Sequence, residues 1–389
     1  MMNTEGRKRI LVLYEYFYPG YKAGGPVQSL QNMVLALQDY YDFYVIANAY
    51  DLNDTDYYNG ITTDDWNEVV LTKDARAIQV WYASHKSPGI VQLKQIIEEL
   101  QPHKVYINGM FARNIIQYPL WLRKLGAIAI NDLIVAPRGM IQEGALATKS
   151  TKKKIYLGLM RSLGLFDQLH WHATTVDEAK DINREFGAAQ QIFVAGNIPR
   201  KPIANYVQAE KHSGKLQLLY LSVITAKKQL VETLQAMIQL PAHCTVQFTI
   251  AGPIKEADYW AKCEELIKQM PLHVQVAYAG DIHPQQVPSV MQQHHALILM
   301  SKGENFGHAL FESMAVGRPI ITSSHTPWND LQVKQAGWNL ELADLSSTVA
   351  QIAMMDQAVY NLYCNGAHQL AINYFSQQDF IQQYQQLFG

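Results

Sequence analysis

The sequence predicts an α/β protein built from two Rossmann-like domains, and three observations lead to this fold class. At 389 residues the chain exceeds the length that one hydrophobic core usually organises. It opens with an apolar, strand-like run over residues 9–16, then a glycine and proline loop, then apolar residues at helical spacing. After about residue 195 the same alternation of apolar runs and helix-like stretches begins again.

The first half of the chain is typical of repeated strand and helix units. Apolar residues recur at intervals of three and four from Val27 to Leu37, and Pro26 suits the first turn of that helix. This order of strand, glycine loop and helix begins many nucleotide-binding folds. Further apolar runs and one helix-like stretch then alternate over residues 41–49, 90–101, 105–110 and 127–137.

A segment rich in proline and glycine, residues 195–215, interrupts the pattern. We therefore expect one domain over 1–198 and a second over 199–370, with the C-terminal helix 371–389 joining the first domain. The second domain restarts with runs that are apolar throughout, as expected for a parallel sheet covered by helices on both faces. These runs cover residues 216–224, 244–252, 274–282, 295–301 and 318–324.

Composition argues against several classes of function. The 32 basic and 34 acidic residues nearly cancel, so the chain has no overall field that would attract nucleic acid. The three cysteines form no cluster, which predicts neither a disulfide framework nor a zinc site. The first residues do not resemble a signal peptide, and no stretch approaches the roughly 20 apolar residues that span a bilayer. We expect a cytoplasmic protein that works in solution or at a membrane surface.

The most informative stretch follows a predicted strand that ends at Met300. It contains Glu304 and Glu312, with seven residues between them, in a loop that leads into a helix. Gly303 and Gly307 let the backbone of that loop approach a ligand closely. If the helix begins near Gly307, its free N–H groups offer a site for a diphosphate, and Glu312 lies roughly 7 Å further along the helix. One acid can thus lie on each side of a bound pyrophosphate.

This pattern resembles the signature of the retaining GT-B glycosyltransferases of family four, the group 1 type. The resemblance implies a GT-B fold, in which two Rossmann-like domains face each other across a cleft. It further implies that Glu304 contacts the donor sugar and that Glu312 bonds the ribose of a nucleotide diphosphate sugar. The other donor-binding candidates in this stretch are Asn305, Phe306, Gly307 and His308.

The resemblance also implies a reaction: transfer of a hexose-type sugar to a hydroxyl acceptor with retention of configuration. The departing phosphate takes the acceptor proton, and no metal or other cofactor is expected. The acceptor, a saccharide or lipid-linked saccharide, would bind the first domain. The stretch over residues 135–166 is similar to bacterial surface-polysaccharide transferases, which suggests that pathway.

A second matching element follows the first strand of the second domain. In the family this turn carries an arginine and, five residues later, a lysine, and both neutralise the departing diphosphate. Lys228 matches the lysine, but Val223 stands at the arginine position, and Lys227 is a candidate substitute. The missing arginine leaves open a nucleotide-sugar-binding subunit without catalysis. A second alternative is a GT-B epimerase that releases an altered sugar nucleotide without any acceptor.

Two candidates lie in the first domain. The doublet Gly24 and Gly25 resembles the family loop that faces the donor phosphates. Arg138 stands where many relatives have a histidine that contacts the donor sugar. Its role stays open between binding sugar or acceptor, as a catalytic residue, and pairing with a neighbouring acid.

Other patterns are better explained by structure. The Asp54 and Asp56 pair spells a metal-binding motif but lies in a turn-rich stretch. His170 and His172 have no third ligand nearby and are expected to be satisfied core histidines. The remaining patterns are a capping box formed by Thr175 with Glu178, and a helix start at Thr326 and Pro327.

A basic amphipathic helix is predicted over residues 149–161. Its cations are interleaved with apolar residues, so it could rest on anionic lipid and present the site to a lipid-linked acceptor. The alternative is a solvated helix that packs its apolar side on the first domain. The cations are Lys149, Lys152, Lys153, Lys154 and Arg161.

Overall fold

The computed structural model describes residues 6–85, 88–129, 132–142, 150–188 and 190–389. The chain divides into two compact units. Unit 1 holds Met1–Ile198 together with Asp379–Gly389, and unit 2 holds Pro199–Gln378.

Unit 1 is built on an eight-stranded sheet in the order β3-β4-β2-β1-β5-β6-β7-β8, which is parallel except for β3. Its strands are β1 Lys8–Leu13, β2 Tyr41–Asn48, β3 Trp66–Val69, β4 Ile78–Ala83, β5 Lys104–Asn108, β6 Leu133–Ala136, β7 His170–Ala173 and β8 Gln191–Val194. Its helices are α1 Gly25–Leu37, α2 Ile90–Leu100, α3 Tyr118–Lys124, α4 Ser150–Ser162 and α5 Val176–Phe186, and a π-helical turn at Arg113–Gln117 precedes α3.

Unit 2 is built on a six-stranded parallel sheet in the order β11-β10-β9-β12-β13-β14. Its strands are β9 Lys215–Leu221, β10 Thr245–Ala251, β11 Val274–Tyr278, β12 Ala296–Leu299, β13 Ile320–Thr322 and β14 Gly337–Asn339. Its helices are α6 Leu230–Ile238, α7 Ala257–Ile267, α8 Val287–Gln292, α9 His308–Ala315, α10 Leu345–Met354 and α11 Gln357–Gln377, with 3₁₀ turns at Ala226–Lys228 and Leu342–Asp344.

Burial explains why apolar runs, rather than alternating ones, marked the strands. The last four residues of β1 and all four of β12 are buried, because helices cover both faces of each sheet. Pro26 lies in the first turn of α1, as its fixed backbone angle favours. The predicted α/β class with two parallel sheets is confirmed. Within the described ranges, no helix combines the length and the apolar character needed to cross a membrane.

The C-terminal helix differs from the expected one. We expected a helix over 371–389 in the first domain, but α11 ends in unit 2 and a new helix, α12 Phe380–Phe388, lies in unit 1. The break occurs because Gln378 is extended and the carboxylate of Asp379 accepts a hydrogen bond from the backbone N–H of Gln382 at 2.9 Å, which starts a second helix. Residues 371–378 therefore belong with the second unit.

Candidate functional site

The loop between β12 and α9 ends at a glycine that the backbone requires. Gly307 has φ 77° and ψ 62°, in the left-handed region, and an added Cβ would lie 2.9 Å from Cδ1 of Leu310. Because of this turn, α9 begins at His308, as the sequence predicted. The N–H groups of its first turn have no partner within the helix, so together with the helix dipole they favour an anion at this end.

Glu304 and Lys228 are brought into direct contact from two different loops. Lys228 lies in the 3₁₀ turn after β9, and its ammonium donates a hydrogen bond to Oε1 of Glu304. The two loops are also joined through their backbones, since the N–H of Lys302 donates to the carbonyl of Lys227 at 2.9 Å. The residues that the sequence assigned to the sugar and to the leaving group are therefore neighbours in unit 2.

Charge and burial act in opposite directions on the Glu304 carboxyl, whose side chain is 11% exposed. Burial alone would raise its pKa. The charge and hydrogen bond of Lys228, together with Ser301 and Lys227, outweigh burial, so the pKa of Glu304 is lowered. The carboxylate therefore stays ionised at neutral pH.

Glu312, the second acid of the motif, lies beside an arginine that sequence analysis did not single out. Burial raises the pKa of Glu312, and Arg200 opposes that rise from 3.9 Å away. The guanidinium of Arg200 is held in place because both its terminal nitrogens donate to the carbonyl of Pro284 at 3.2 Å. No sequence spacing links Arg200 to the motif, so only the fold reveals this pair.

Aromatic packing fixes the loop that carries Glu304. Phe306 is buried, its ring lies 5.4 Å from that of Trp328, and the indole N–H of Trp328 donates to the carbonyl of Phe306 at 2.7 Å. This anchoring corrects one expectation. Residues 326–330 form no helix, with Asp330 in the left-handed region at φ 59°.

The other candidates of the second domain lie around the same loop. Lys227 shares the 3₁₀ turn with Lys228, and Gly303 faces it, since an added Cβ would lie 3.9 Å from Cε of Lys227. Asn305 lies within the loop, and the ring of His308, the first residue of α9, is 4.8 Å from that of Phe306. Their contacts with donor stay predictions. Val223 stands half-buried between β9 and the 3₁₀ turn, at the position without the family's arginine.

Residues 203–337 match the sequence model of a family described as glycosyl transferases group 1. The match lies within unit 2, Pro199–Gln378. This agrees with the resemblance inferred from Glu304, Glu312 and Lys228. Comparison with curated proteins finds no match.

Solved structures show that the whole chain has the GT-B fold. HepE from Anabaena, in complex with UDP and glucose, is 15% identical, with 98% of each chain covered and a TM-score of 0.67. Sucrose-phosphate synthase from Thermosynechococcus elongatus is 15% identical, with 98% of each chain covered and a TM-score of 0.72. WaaG, a glycosyltransferase involved in lipopolysaccharide biosynthesis, is 13% identical, with 98% of each chain covered and a TM-score of 0.64.

In unit 1, the glycine doublet precedes α1. Gly24 has φ 77° and ψ −141°, which favours glycine, and Gly25 is the first residue of the helix. The preceding residues are pinned by Asp51, whose carboxylate accepts hydrogen bonds from the N–H groups of Tyr21 at 2.7 Å and Lys22 at 3.0 Å. Asp51 is buried, and no motif in the sequence marks it.

The acidic pair that spelled a metal motif is placed differently from a metal site. The carboxylate of Asp54 forms an ion pair with Lys22 at 2.6 Å. Among the residues the structure describes, no three histidine, cysteine, aspartate or glutamate side chains gather where they could hold a metal ion.

Arg138 is a buried structural centre of unit 1. Its guanidinium donates to Asn108 at 2.6 Å, to Asn197 at 2.5 Å and to the hydroxyl of Tyr106 at 2.7 Å. Sequence analysis had offered substrate or an acid as its partner, and these three groups are two amides and a phenol. The catalytic role of Arg138 stays a prediction. Burial, and then the charge of Arg138, lower the pKa of the adjacent His172 to about 3.

The two histidines of β7 differ from each other. His172 is fully buried and bonded through both ring nitrogens, to Tyr106 at 2.7 Å and to the carbonyl of Ala195 at 2.8 Å, which confirms a satisfied core histidine. His170 lies instead at a partly exposed position, 3.4 Å from a carboxylate oxygen of Asp132, because the strand ends of β6 and β7 meet there.

The cap of α5 is half of the expected capping box. Thr175 accepts the hydrogen bond from the N–H of Glu178 at 3.1 Å. The Glu178 carboxylate is buried and accepts from the N–H groups of Gly139 at 2.5 Å and Thr174 at 2.8 Å. It therefore ties the segment after β6 to the end of β7, next to Arg138.

Proposed function

We propose that this protein transfers a hexose-type sugar from a nucleotide diphosphate sugar to a hydroxyl of a saccharide or lipid-linked saccharide, with retention of configuration and without a metal. The observation that carries the proposal is the contact between Glu304 and Lys228 next to Gly307, where α9 begins. It places an ionised carboxylate, a cation and a row of N–H groups around one small volume of unit 2.

Each part of the donor has a matching group in that arrangement. The diphosphate occupies the start of α9, with Lys228 and Lys227 adding positive charge. The ribose hydroxyls bond to Glu312, and the sugar ring lies against Glu304. HepE, which has the same fold, was solved in complex with UDP-glucose, which supports a nucleotide-sugar donor here.

The proposed reaction needs no side-chain base. The bond between the anomeric carbon and the phosphate oxygen breaks, the acceptor hydroxyl attacks from the same face, and its proton passes to that phosphate oxygen. Positive charge develops on the sugar ring, and the Glu304 carboxylate stabilises it because it is already ionised and fixed in place. The negative charge of the departing diphosphate is stabilised by Lys228 and by the N–H groups of α9.

A panel of sugar nucleotides tests donor binding directly. A ligand that binds only the folded protein raises its apparent stability, so one of the UDP-, GDP- or ADP-sugars at about 100 times its Kd is expected to raise Tm by about 5 °C or more. Differential scanning fluorimetry measures the shift, with the free hexose as control. A panel in which no nucleotide sugar shifts Tm would contradict the proposal.

Val223 leaves the diphosphate with one cation fewer than the family pattern, which motivates the alternative of a binding subunit without catalysis. Turnover by the purified chain distinguishes the alternatives. Transfer of labelled sugar supports the transferase, donor binding without turnover supports a binding subunit, and an altered sugar nucleotide formed without acceptor supports a GT-B epimerase.

The surface of α4 bears on where the reaction takes place. Ile155 and Leu159 are 65% and 56% exposed, while Leu157 and Met160 pack into the core. The helix thus packs one side on unit 1 and still presents aliphatic side chains outward, together with the exposed cations Lys152, Lys154 and Arg161. Lys149, the first cation of the predicted run, lies outside the described residues. We place the protein in the cytoplasm, with α4 on the anionic inner face of the plasma membrane, in surface polysaccharide assembly.

The lipid contact predicts a measurable change. In a vesicle flotation assay with about one-third phosphatidylglycerol, the double variant Ile155→Glu, Leu159→Glu is expected to bind at least about tenfold less. The variant removes apolar area that the lipid would bury, and its two carboxylates are repelled by the anionic headgroups. The matched control Val91→Glu, Leu362→Glu changes two exposed apolar residues on other helices and should bind as the unchanged protein does. Equal flotation of all three proteins would contradict the lipid contact.

A further inference from the structure

A long loop of unit 1, residues 49–65 between β2 and β3, has no regular secondary structure yet is held in one shape. Asp51 accepts hydrogen bonds from three N–H groups, the third being that of Leu52 at 2.7 Å, and Asp54 is paired with Lys22. The N–H of Tyr58 closes the loop by donating to the carbonyl of Ala49 at 2.8 Å. Long loops that are ordered in this way commonly bind ligands.

Two tyrosine rings of this loop lie outside the buried core and pack with a histidine ring that follows β4. Tyr50 and Tyr57 stack at 6.4 Å with their planes 29° apart, and the ring of His85 lies 4.4 Å from Tyr50 and 5.1 Å from Tyr57. Tyr57 is 41% exposed, His85 is exposed and Tyr50 is half-buried. We call these three residues the aromatic surface. The backbone N–H of His85 donates to the Tyr57 hydroxyl at 3.3 Å, which links its two loops.

The aromatic surface lies at the carboxyl ends of β2 and β4, the edge of a parallel sheet where ligands bind. The neighbouring strand β1 ends nearby, with Glu15 and Tyr16 after it. Burial first, and then the charge of Glu15, raise the pKa of Tyr16 to about 12 and also raise that of Tyr50. Both phenols therefore stay protonated and can donate hydrogen bonds to a ligand. The carboxylate of Glu15 can accept hydrogen bonds from a ligand's hydroxyl groups.

We propose that the aromatic surface binds pyranose rings of the acceptor, so that the acceptor is an extended saccharide rather than a single sugar or a simple alcohol. A pyranose has an apolar C–H face that packs on aromatic rings, and a rim of hydroxyls that bond to phenols and carboxylates. Lys22, beside this loop, is already paired with Asp54 at 2.6 Å, which argues against a nucleotide phosphate at this place. This inference rests on the proposed function, because it deepens the identity of its acceptor.

Direct binding tests the inference without requiring turnover. The full chain, fluorescently labelled, is applied to an array of bacterial surface oligosaccharides, and the affinity for the best-bound oligosaccharide is then measured by isothermal titration calorimetry. Tyr57→Ala and Tyr50→Ala are each expected to weaken binding about tenfold, whereas Tyr57→Phe, which keeps the ring, should stay within about threefold. The matched control is Tyr40→Ala, a 47% exposed tyrosine that follows α1 at the amino end of β2, and it should bind unchanged.

The outcomes separate this inference from the proposed function. No bound oligosaccharide on the array, or equal affinity of Tyr57→Ala and Tyr40→Ala, would overturn the aromatic surface as a saccharide site. If nucleotide sugars still raise Tm in that case, the donor proposal stands alone. If an oligosaccharide binds through Tyr50 and Tyr57 but no nucleotide sugar shifts Tm, the saccharide site stands and the transferase proposal fails.

Discussion

Replacing Glu304 with alanine is expected to lower the rate of sugar transfer at least about a thousandfold, while the affinity for the nucleotide diphosphate stays within about threefold. In the proposed mechanism the carboxylate contacts the sugar and not the nucleotide, so its loss removes stabilisation of the charged transition state. The diphosphate keeps the start of α9 and also gains a lysine freed from its partner. A radiolabelled transfer assay and calorimetry with the nucleotide diphosphate give the two quantities.

Two further variants make this test specific to the charge. Glu304→Gln keeps the size of the side chain but not the negative charge, and it should be nearly as inactive as alanine. Glu265→Ala removes an exposed glutamate of α7, which pairs with Lys268 just after that helix. This variant should leave the rate unchanged. Transfer by Glu304→Ala at the unchanged rate would remove the basis of the proposed mechanism.

Lys228→Met should slow transfer about a hundredfold and also move the acidic limb of the pH profile. In the unchanged protein Lys228 holds the pKa of Glu304 low, so activity persists as pH falls until that lowered pKa is reached. Without the lysine, the largest contribution that opposes burial is lost and the pKa of Glu304 rises. Activity is then lost at a higher pH on the acid side, which kcat/KM measured from about pH 4 to about pH 9 will show.

The direction of this shift separates a positioning effect from a charge effect. Lys228→Arg keeps the positive charge and should keep the acidic limb low even if its rate falls. Lys262→Met, on the exposed side of α7, is the matched control and should change neither rate nor limb. An acidic limb that stays in place in Lys228→Met would mean that Glu304 does not control the reaction.

Local chemistry made much of the second unit predictable from sequence. The turn at Gly307 and the helix start at His308 follow from residues that are adjacent in the chain, because only glycine accommodates that backbone well. The contact of Lys228 with Glu304 could also be expected from the sequence, since each residue follows a strand and parallel strands end at one edge of the sheet.

The remaining features depend on contacts between distant parts of the chain. Arg200 meets Glu312 only because α8 and α9 are neighbours, and no spacing in the sequence records it. Trp328 lies where a helix start was expected and bonds instead to Phe306. Arg138 was a ligand-binding candidate because it stands where many relatives have a histidine that contacts the donor sugar, and its amide partners become visible only in the folded unit.

The return of α12 to unit 1 has a consequence for biosynthesis. The ring of Phe388 packs 5.5 Å from Tyr41 and 5.7 Å from Tyr106, and Gln383 accepts a hydrogen bond from the N–H of Gly196 at 2.8 Å. The earliest-made portion of the polypeptide therefore leaves the ribosome with a gap in its interior, which stays open until every strand of the other sheet has been translated. Chaperones therefore have more time to bind this N-terminal portion than any later part of the chain.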